Sequence, residues 1–221
     1  TLAVYVLAQA VSLRAGHAPW ANPVMLSVAV LAGVLLATGT AYPTYFAGAQ
    51  FIHFLLGPAV VALGWPLWQR RAALRARVGR LVLASLAGGT AAAASAVGLG
   101  WALGLPGDVL MSLAPKSVTA PVAMGVAAQI GGVPALAAVF AALTGMVGAL
   151  SARWLFGLMR LPTDAEGMAL RGFALGTASH GIGAAHAMQV NADAGAYAGL
   201  ALGLQVVLAA VLMPLVFRLF L

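Results

Sequence analysis

The chain has 221 residues, of which 63% are hydrophobic and only 7% are charged, and its formal net charge is +7. Soluble domains average about 25% charged residues, so this composition excludes an ordinary water-soluble globular protein. Several apolar stretches reach the roughly 20 residues that a helix needs to cross about 30 Å of hydrocarbon. The composition therefore predicts an all-α polytopic membrane protein. Because the chain has no cysteine, disulfides and thiolate chemistry are excluded.

Apolar runs predict seven helices and one broken segment. Basic residues lie at the ends of these runs, where they orient a membrane protein and do not indicate a nucleic-acid partner. Because the chain begins at Thr1, we expect a trimmed start, and no cleavable signal peptide is predicted. In chain order the predicted helices cover 1–15, 23–41, 49–68, 78–104, 134–159, 167–189 and 194–220, with the broken segment at 107–130.

Five arginines within residues 69–80 give the strongest orientation signal. Short arginine-rich loops stay in the cytoplasm, so we expect a cytoplasmic loop here, and a solvated charge run would be placed there too. When helix directions are assigned starting from this loop, the arginines of the later helices lie on the cytoplasmic side only if both ends of segment 107–130 are on the same side of the membrane. We therefore predict a re-entrant pair of half-helices, with a single kinked span as the alternative.

An internal repeat relates residues 43–64 to residues 162–183. By the orientation above the two copies run in opposite directions, which is the inverted-topology repeat of secondary transporters. We predict one transmembrane domain over 1–221, with a first repeat at 23–104 and a second at 134–220. The identical positions are Pro43, Thr44, Gly48, Phe54, Leu56, Gly57, Ala59 and Gly64, matching Pro162, Thr163, Gly167, Phe173, Leu175, Gly176, Ala178 and Gly183.

Both copies carry interruptions at corresponding positions, at Gly57 and Pro58 in the first and at Gly176 and Thr177 in the second. Pro58 lacks an amide hydrogen and disfavours helix at the preceding residue. In inverted-repeat transporters such breaks meet near the bilayer midplane and form the substrate site. Glycine-mediated helix packing, which is common in membranes, is the alternative.

The only lysine, Lys116, lies inside the broken segment, in the stretch SLAPKSVTAPVAMG. A charged side chain within a membrane is costly and usually faces a cavity or a partner. All four acidic residues lie at predicted helix ends, so the missing anion is interpreted as a substrate. Ser117 and Thr119 add hydroxyl donors, and the N-terminus of a half-helix at 117–130 favours an anion. The alternative is a lysine that extends to water.

His180 is the second candidate for substrate binding. Thr177 precedes it by three residues, so on a continuous helix the two side chains share a face. Histidine can hydrogen-bond a carboxylate or change protonation near neutral pH, although a histidine bonded within the bundle is an equal alternative. Asn22 caps the second helix or contacts substrate. We expect no enzyme, metal or cofactor, because no nucleophile–base set, phosphate loop or ligand cluster occurs.

Five motifs carry a family resemblance over nearly the whole chain. Together they resemble the LrgB/CidB family of bacterial membrane proteins, which is similar to the membrane domain of the plastid glycolate/glycerate translocator. The chain departs from the family's usual residues at Ala49, Ala120, Gly125 and Ala184. The motifs are NPV (22–24), YPTYFAGAQFIHFLLGPAVVAL (42–63), LAPKSVTAPVA (113–123), QIGGVPALAAVFAALTG (129–145) and GFALGTASHGIGAAHAM (172–188).

The resemblance implies a bacterial cytoplasmic (inner) membrane and two functions. One is carriage of small carboxylates such as glycolate, glycerate or pyruvate. The other is antiholin-like modulation of murein hydrolases and cell lysis, with a small LrgA/CidA-type partner. The breaks and the lone cation favour an alternating-access carrier of a small 2-hydroxy or 2-oxo monocarboxylate, with the antiholin-like role as the alternative. The carboxylate and the lipid bilayer are the expected partners, and homodimerisation stays open.

Overall fold

The computed structural model describes residues 1–16, 21, 23–62, 65, 68 and 71–220. Over this part of the chain all regular structure is helical, which confirms the predicted fold class. The helices are α1 (Leu2–Arg14), α2 (Pro23–Thr38), α3 (Tyr42–Ala62), α4 (Arg71–Ala102), α5 (Gly107–Leu113), α6 (Ala120–Gln129), α7 (Pro134–Leu158), α8 (Ala165–Val190) and α9 (Ala192–Phe220).

The chain divides into two compact units, Thr1–Ala62 and Leu63–Leu221. In the first unit α1 packs against α2, and the hydroxyls of Thr1 and Tyr45 form a hydrogen bond of 2.7 Å. The second unit contains α4 to α9 and the main core. The repeat boundaries inferred from the sequence stay a prediction.

Helix α3 begins at Tyr42, earlier than predicted, and its backbone stays helical through Pro58. The predicted interruption at 57–58 therefore does not end the helix. A proline removes one backbone hydrogen bond and crowds the preceding turn, but the bonds on either side can hold the helix together with a bend.

Helix α4 begins at Arg71, so the stretch predicted as a loop is helical over 71–80. The loop prediction was wrong there because arginine and alanine are strong helix formers, and positive charge does not itself end a helix. Residues 69 and 70 lie outside the described residues. With 32 residues, α4 is about 48 Å long against about 30 Å of hydrocarbon, so its first turns extend beyond the apolar layer.

Three helices of the described chain are long and apolar enough to cross a membrane: Arg77–Ala102 in α4, Pro134–Leu158 and Ala192–Phe217 in α9. Large side chains such as Val147 and Val211 remain exposed on them, which suits contact with lipid. The apolar stretches and this helical architecture identify an integral membrane protein.

Small residues hold α7, α8 and α9 together. The buried face of α7 repeats every three or four residues and is formed by Ala137, Ala141, Gly145, Ala149 and Ala152. On α8, a Cβ added to Gly172 would overlap the carbonyl of Ala194, and one added to Gly176 would overlap that of Ala198. Such contacts let helix backbones approach closely in a membrane.

Segment 107–130 consists of two short helices, as predicted. α5 has 7 residues and α6 has 10, so each rises only about 10–15 Å and neither crosses the hydrocarbon alone. The Ser112 hydroxyl donates to the Asp108 carbonyl at 2.6 Å and accepts from the Val133 amide at 2.7 Å. This clamp fixes α5 against the start of α7, while the re-entrant path through the membrane stays a prediction.

Candidate functional site

The main irregularity of α8 is a break at His180, whose backbone has φ 40° and ψ −135°. The break separates a half-helix ending at Ser179 from one that begins at Gly181. Positive φ is uncommon for a residue with a Cβ. Because the second half-helix begins at the break, the positive end of its dipole lies there and favours a negative group.

The His180 ring is buried and directed at α7. Its Nε2 donates a hydrogen bond of 2.7 Å to the carbonyl of Ala141. Gly145 makes room for the ring, because a Cβ at that position would lie 2.8 Å from Nε2. In the neutral tautomer that donates from Nε2, the other ring nitrogen, Nδ1, is an acceptor.

Lys116 lies in the turn between α5 and α6 and is half-buried. Next to it, Ser117 is buried, and Thr119 occupies the N-cap position of α6 without making a side-chain cap. The hydroxyl oxygens of Ser117 and Thr119 are both buried, and neither has a hydrogen-bond partner within the described residues. Unpaired buried hydroxyls are costly, so these two are candidates for ligand contacts.

The turn that holds Lys116 and the break in α8 lie close together. A Cβ added to Gly181 would lie 3.9 Å from the methyl carbon of Thr119. The start of α6 and the start of the second half-helix of α8 therefore meet at Thr119. Two helix N-termini and one lysine contribute positive potential to this region.

Thr177 is buried, and its hydroxyl also lacks a partner within the described residues. Its methyl group faces α4, because a Cβ added to Gly88 would lie 2.9 Å from it. His180 instead contacts α7, so the predicted common face of the two residues is wrong. The helical phase that would align positions three apart is lost at the break. Gly176 packs against the backbone of α9.

Ser179 is a residue of this region that the sequence interpretation missed. It is 1% exposed, and its hydroxyl has no partner in the described chain. The side chain occupies the space in which a Cβ of Gly148 would lie. Its position directly before His180 could have pointed to Ser179 in the sequence, but spacing alone does not show which helix the serine faces.

Three predicted site residues remain: Asn22, Gly57 and Pro58. Asn22 lies outside the described residues, while Gly57 and Pro58 belong to α3 in the first unit. Their roles in binding stay predictions. Within the described residues, no group of three histidine, cysteine or acidic residues is placed to hold a metal.

These features define a class: a helical integral membrane protein with buried polar groups gathered at broken helices. The LrgB-like family matches residues 1–219. The chain therefore belongs to the LrgB-like family, which confirms the resemblance drawn from the motifs.

Bacterial relatives match most of the chain. The Bacillus subtilis protein YxaC is 31% identical over 202 residues, which is 91% of this chain and 86% of the relative. The holin-like protein CidB of Staphylococcus aureus is 30% identical over 203 residues, with the same two coverages. The holin-like protein CidB of Staphylococcus epidermidis is 27% identical over 228 residues, covering 100% of this chain and 94% of the relative. No solved structure matches the chain.

Proposed function

We propose that this protein has a holin-like role in the bacterial cytoplasmic membrane. The supporting observation is the 30% identity over 91% of the chain to the holin-like protein CidB of Staphylococcus aureus. The names of these relatives favour this role over carriage of a carboxylate, because none of them mentions a substrate. The proposed role is to modulate murein hydrolase activity and cell lysis, together with a small LrgA/CidA-type membrane partner and without enzymatic chemistry of its own.

Complementation tests the holin-like role. The chain is expressed in a Staphylococcus aureus strain that lacks CidB, and murein hydrolase activity and detergent-induced autolysis are measured. Both readouts should shift from the level of the empty vector toward that of the CidB strain. The shift should be larger when the small CidA-type protein is present. A chain that inserts stably into the membrane and changes neither readout would exclude this role.

A second candidate is carriage of a small 2-hydroxy or 2-oxo monocarboxylate. Its supporting observation is the set of buried hydroxyls near the break that have no hydrogen-bond partner within the described residues. Lys116 would attract the carboxylate, and Thr119 with Thr177 would donate hydrogen bonds. The acceptor nitrogen of a neutral His180 would bind the 2-hydroxyl. A monoanion suits a region with a single half-buried lysine, because a second negative charge would lack a counter-charge.

Uptake into liposomes tests the carrier role. The purified chain is reconstituted, and uptake of labelled glycolate is compared with uptake of labelled pyruvate. Wild type should show saturable uptake, and Lys116→Ala should reduce it at least about tenfold by removing a charge-assisted contact. Val211→Ala is the matched control, since Val211 is exposed on α9 and should keep full uptake. Absence of saturable wild-type uptake would exclude the carrier role.

The same variant separates the two candidates. If the holin-like role does not depend on the anion site, Lys116→Ala restores autolysis to the wild-type level while uptake is lost. Loss of both readouts in a stably inserted variant would mean that lysis control depends on this site.

A further inference from the structure

A separate cavity of about 340 Å³ lies between α4 and α9 in the second unit. Its walls are mostly hydrocarbon, and they include Ala93, Ala94 and Val97 from α4 and Leu208, Leu212 and Phe217 from α9. None of the described side chains that line it is charged, and Lys116, Thr177 and His180 are not among the lining residues. The cavity is therefore distinct from the candidate anion site.

One part of the cavity wall is polar. Ser85 and Gln205 both line it and are 0% and 4% exposed. The Gln205 Nε2 donates to the Ser85 carbonyl at 2.6 Å, whereas the Ser85 hydroxyl has no partner within the described residues. Gly89 leaves room for the glutamine, because a Cβ there would lie 2.6 Å from its Oε1. The Ser85 hydroxyl and the Gln205 amide are thus buried polar groups of this wall; Thr90 also lines the cavity, and most of the remaining lining is apolar.

We infer that this cavity binds a neutral amphiphile, an aliphatic chain that ends in a hydroxyl group. The volume lies in the range of about 300–1,000 Å³ typical of small-molecule sites. A transmembrane helix, about 10 Å wide and 30 Å long, needs several times that space. The alkyl walls suit the chain, and the hydroxyl of Ser85 can pair with the ligand's own hydroxyl.

The described lining residues carry no charge, and this determines which head groups the cavity accepts. A carboxylate head group in this cavity would find no cation among the described lining residues, and an unpaired buried charge is strongly unfavourable. A hydroxyl head group can both donate and accept, and it leaves no charge unpaired. Because α4 and α9 both contain membrane-spanning stretches, a ligand of this kind reaches the cavity from the bilayer.

Photolabelling tests the assignment. The purified full chain in lipid nanodiscs is irradiated with a long-chain alcohol that carries an alkyl diazirine, and labelled peptides are mapped by mass spectrometry. Labels should concentrate on 85–97 and 205–217 and should be displaced by unlabelled alcohol. The matching diazirine fatty acid, in its ionised form, should label these segments at least about fivefold less than the alcohol does.

Variants locate the binding. Ala93→Phe fills the cavity and should abolish displaceable labelling, whereas Val211→Phe places the same aromatic side chain on an exposed part of α9 and should preserve it. If Ala93→Phe unfolds, Ala94→Leu provides the same comparison. Three results would overturn the inference: labelling that unlabelled alcohol does not displace, equal labelling by acid and alcohol, and labelling that persists in Ala93→Phe. Protection of the cavity by a second copy of the chain would overturn it too.

Discussion

At the scale of single residues, His180 combines a strained backbone with a buried hydrogen bond. Its φ of 40° places a residue with a Cβ in a sparsely populated region, at a cost of about 1–3 kcal/mol. The 2.7 Å bond to the Ala141 carbonyl offsets part of this cost. One side chain therefore both creates the strain and helps to hold the break in place.

Glycine and alanine substitutions separate these two effects. His180→Gly and His180→Ala both lose the hydrogen bond, but only alanine keeps a Cβ at positive φ. We expect the glycine variant to be more stable than the alanine variant by about 1 kcal/mol. Equilibrium unfolding in detergent measures the difference.

Ala185 provides the matched control, since it is an exposed residue in the second half of α8. Ala185→Gly should lower stability by about 0.5–1 kcal/mol, because glycine is the poorer residue in a regular helix. If alanine is as good as glycine at position 180, the backbone there is not strained.

At the scale of helices, Gly148 determines how closely α7 approaches α8. A Cβ at Gly148 would overlap the Ser179 hydroxyl, and this serine is almost fully buried. Gly148→Ala should therefore destabilise the protein by about 1–3 kcal/mol through overpacking. Unfolding in detergent and the yield of folded protein both report the loss.

Gly157 is the control on the same helix, because nothing lies within 4 Å of a Cβ added there. Gly157→Ala should be neutral or stabilising by up to about 1 kcal/mol. Combining Gly148→Ala with Ser179→Gly should restore part of the lost stability, since the overlapping side chain is gone. Equal losses for the two glycine variants would contradict the close contact at Gly148.

Some helix boundaries could be predicted because local chemistry fixes them. Pro134 starts α7 where predicted, and the Asn191 side chain caps α9 by accepting from the Ala194 amide at 3.0 Å. The pairing of Thr177 with His180 failed because periodicity assumes an unbroken helix. Charge patterning predicts which side of the membrane a segment lies on, but helix propensity decides its structure, so Arg71 begins a helix.

At the scale of the whole molecule, one topological question decides the orientation of the later helices. If segment 107–130 is re-entrant, both of its ends lie on one side of the membrane, and α7 then runs from outside to inside. If the segment crosses once, the direction of α7 is reversed. The excess of arginine at the end of α7 favours the first arrangement by the positive-inside rule.

Single-cysteine labelling decides between these arrangements. Because the chain contains no cysteine, each introduced cysteine is its only thiol. Leu105 lies just before segment 107–130 and Gln129 lies near its end. Arg75 and Met159 lie near the arginine-rich ends of α4 and α7, and all four residues are exposed. With a re-entrant segment, Leu105→Cys and Gln129→Cys should react with an impermeant maleimide in intact cells. Arg75→Cys and Met159→Cys should react only after permeabilisation, which also serves as the control that each thiol is reachable.

A single crossing gives a different pattern. Gln129→Cys would then be protected in intact cells, and Met159→Cys would become reactive, while Leu105→Cys and Arg75→Cys would be unchanged. The inverted repeat requires the re-entrant pattern, because its two copies lie in α3 and α8 and only an even number of crossings between them gives them opposite directions. α4 and α7 already supply two crossings between α3 and α8, so segment 107–130 must return to the side from which it enters. Protection of Gln129→Cys would therefore exclude the repeat along with the re-entrant pair of half-helices.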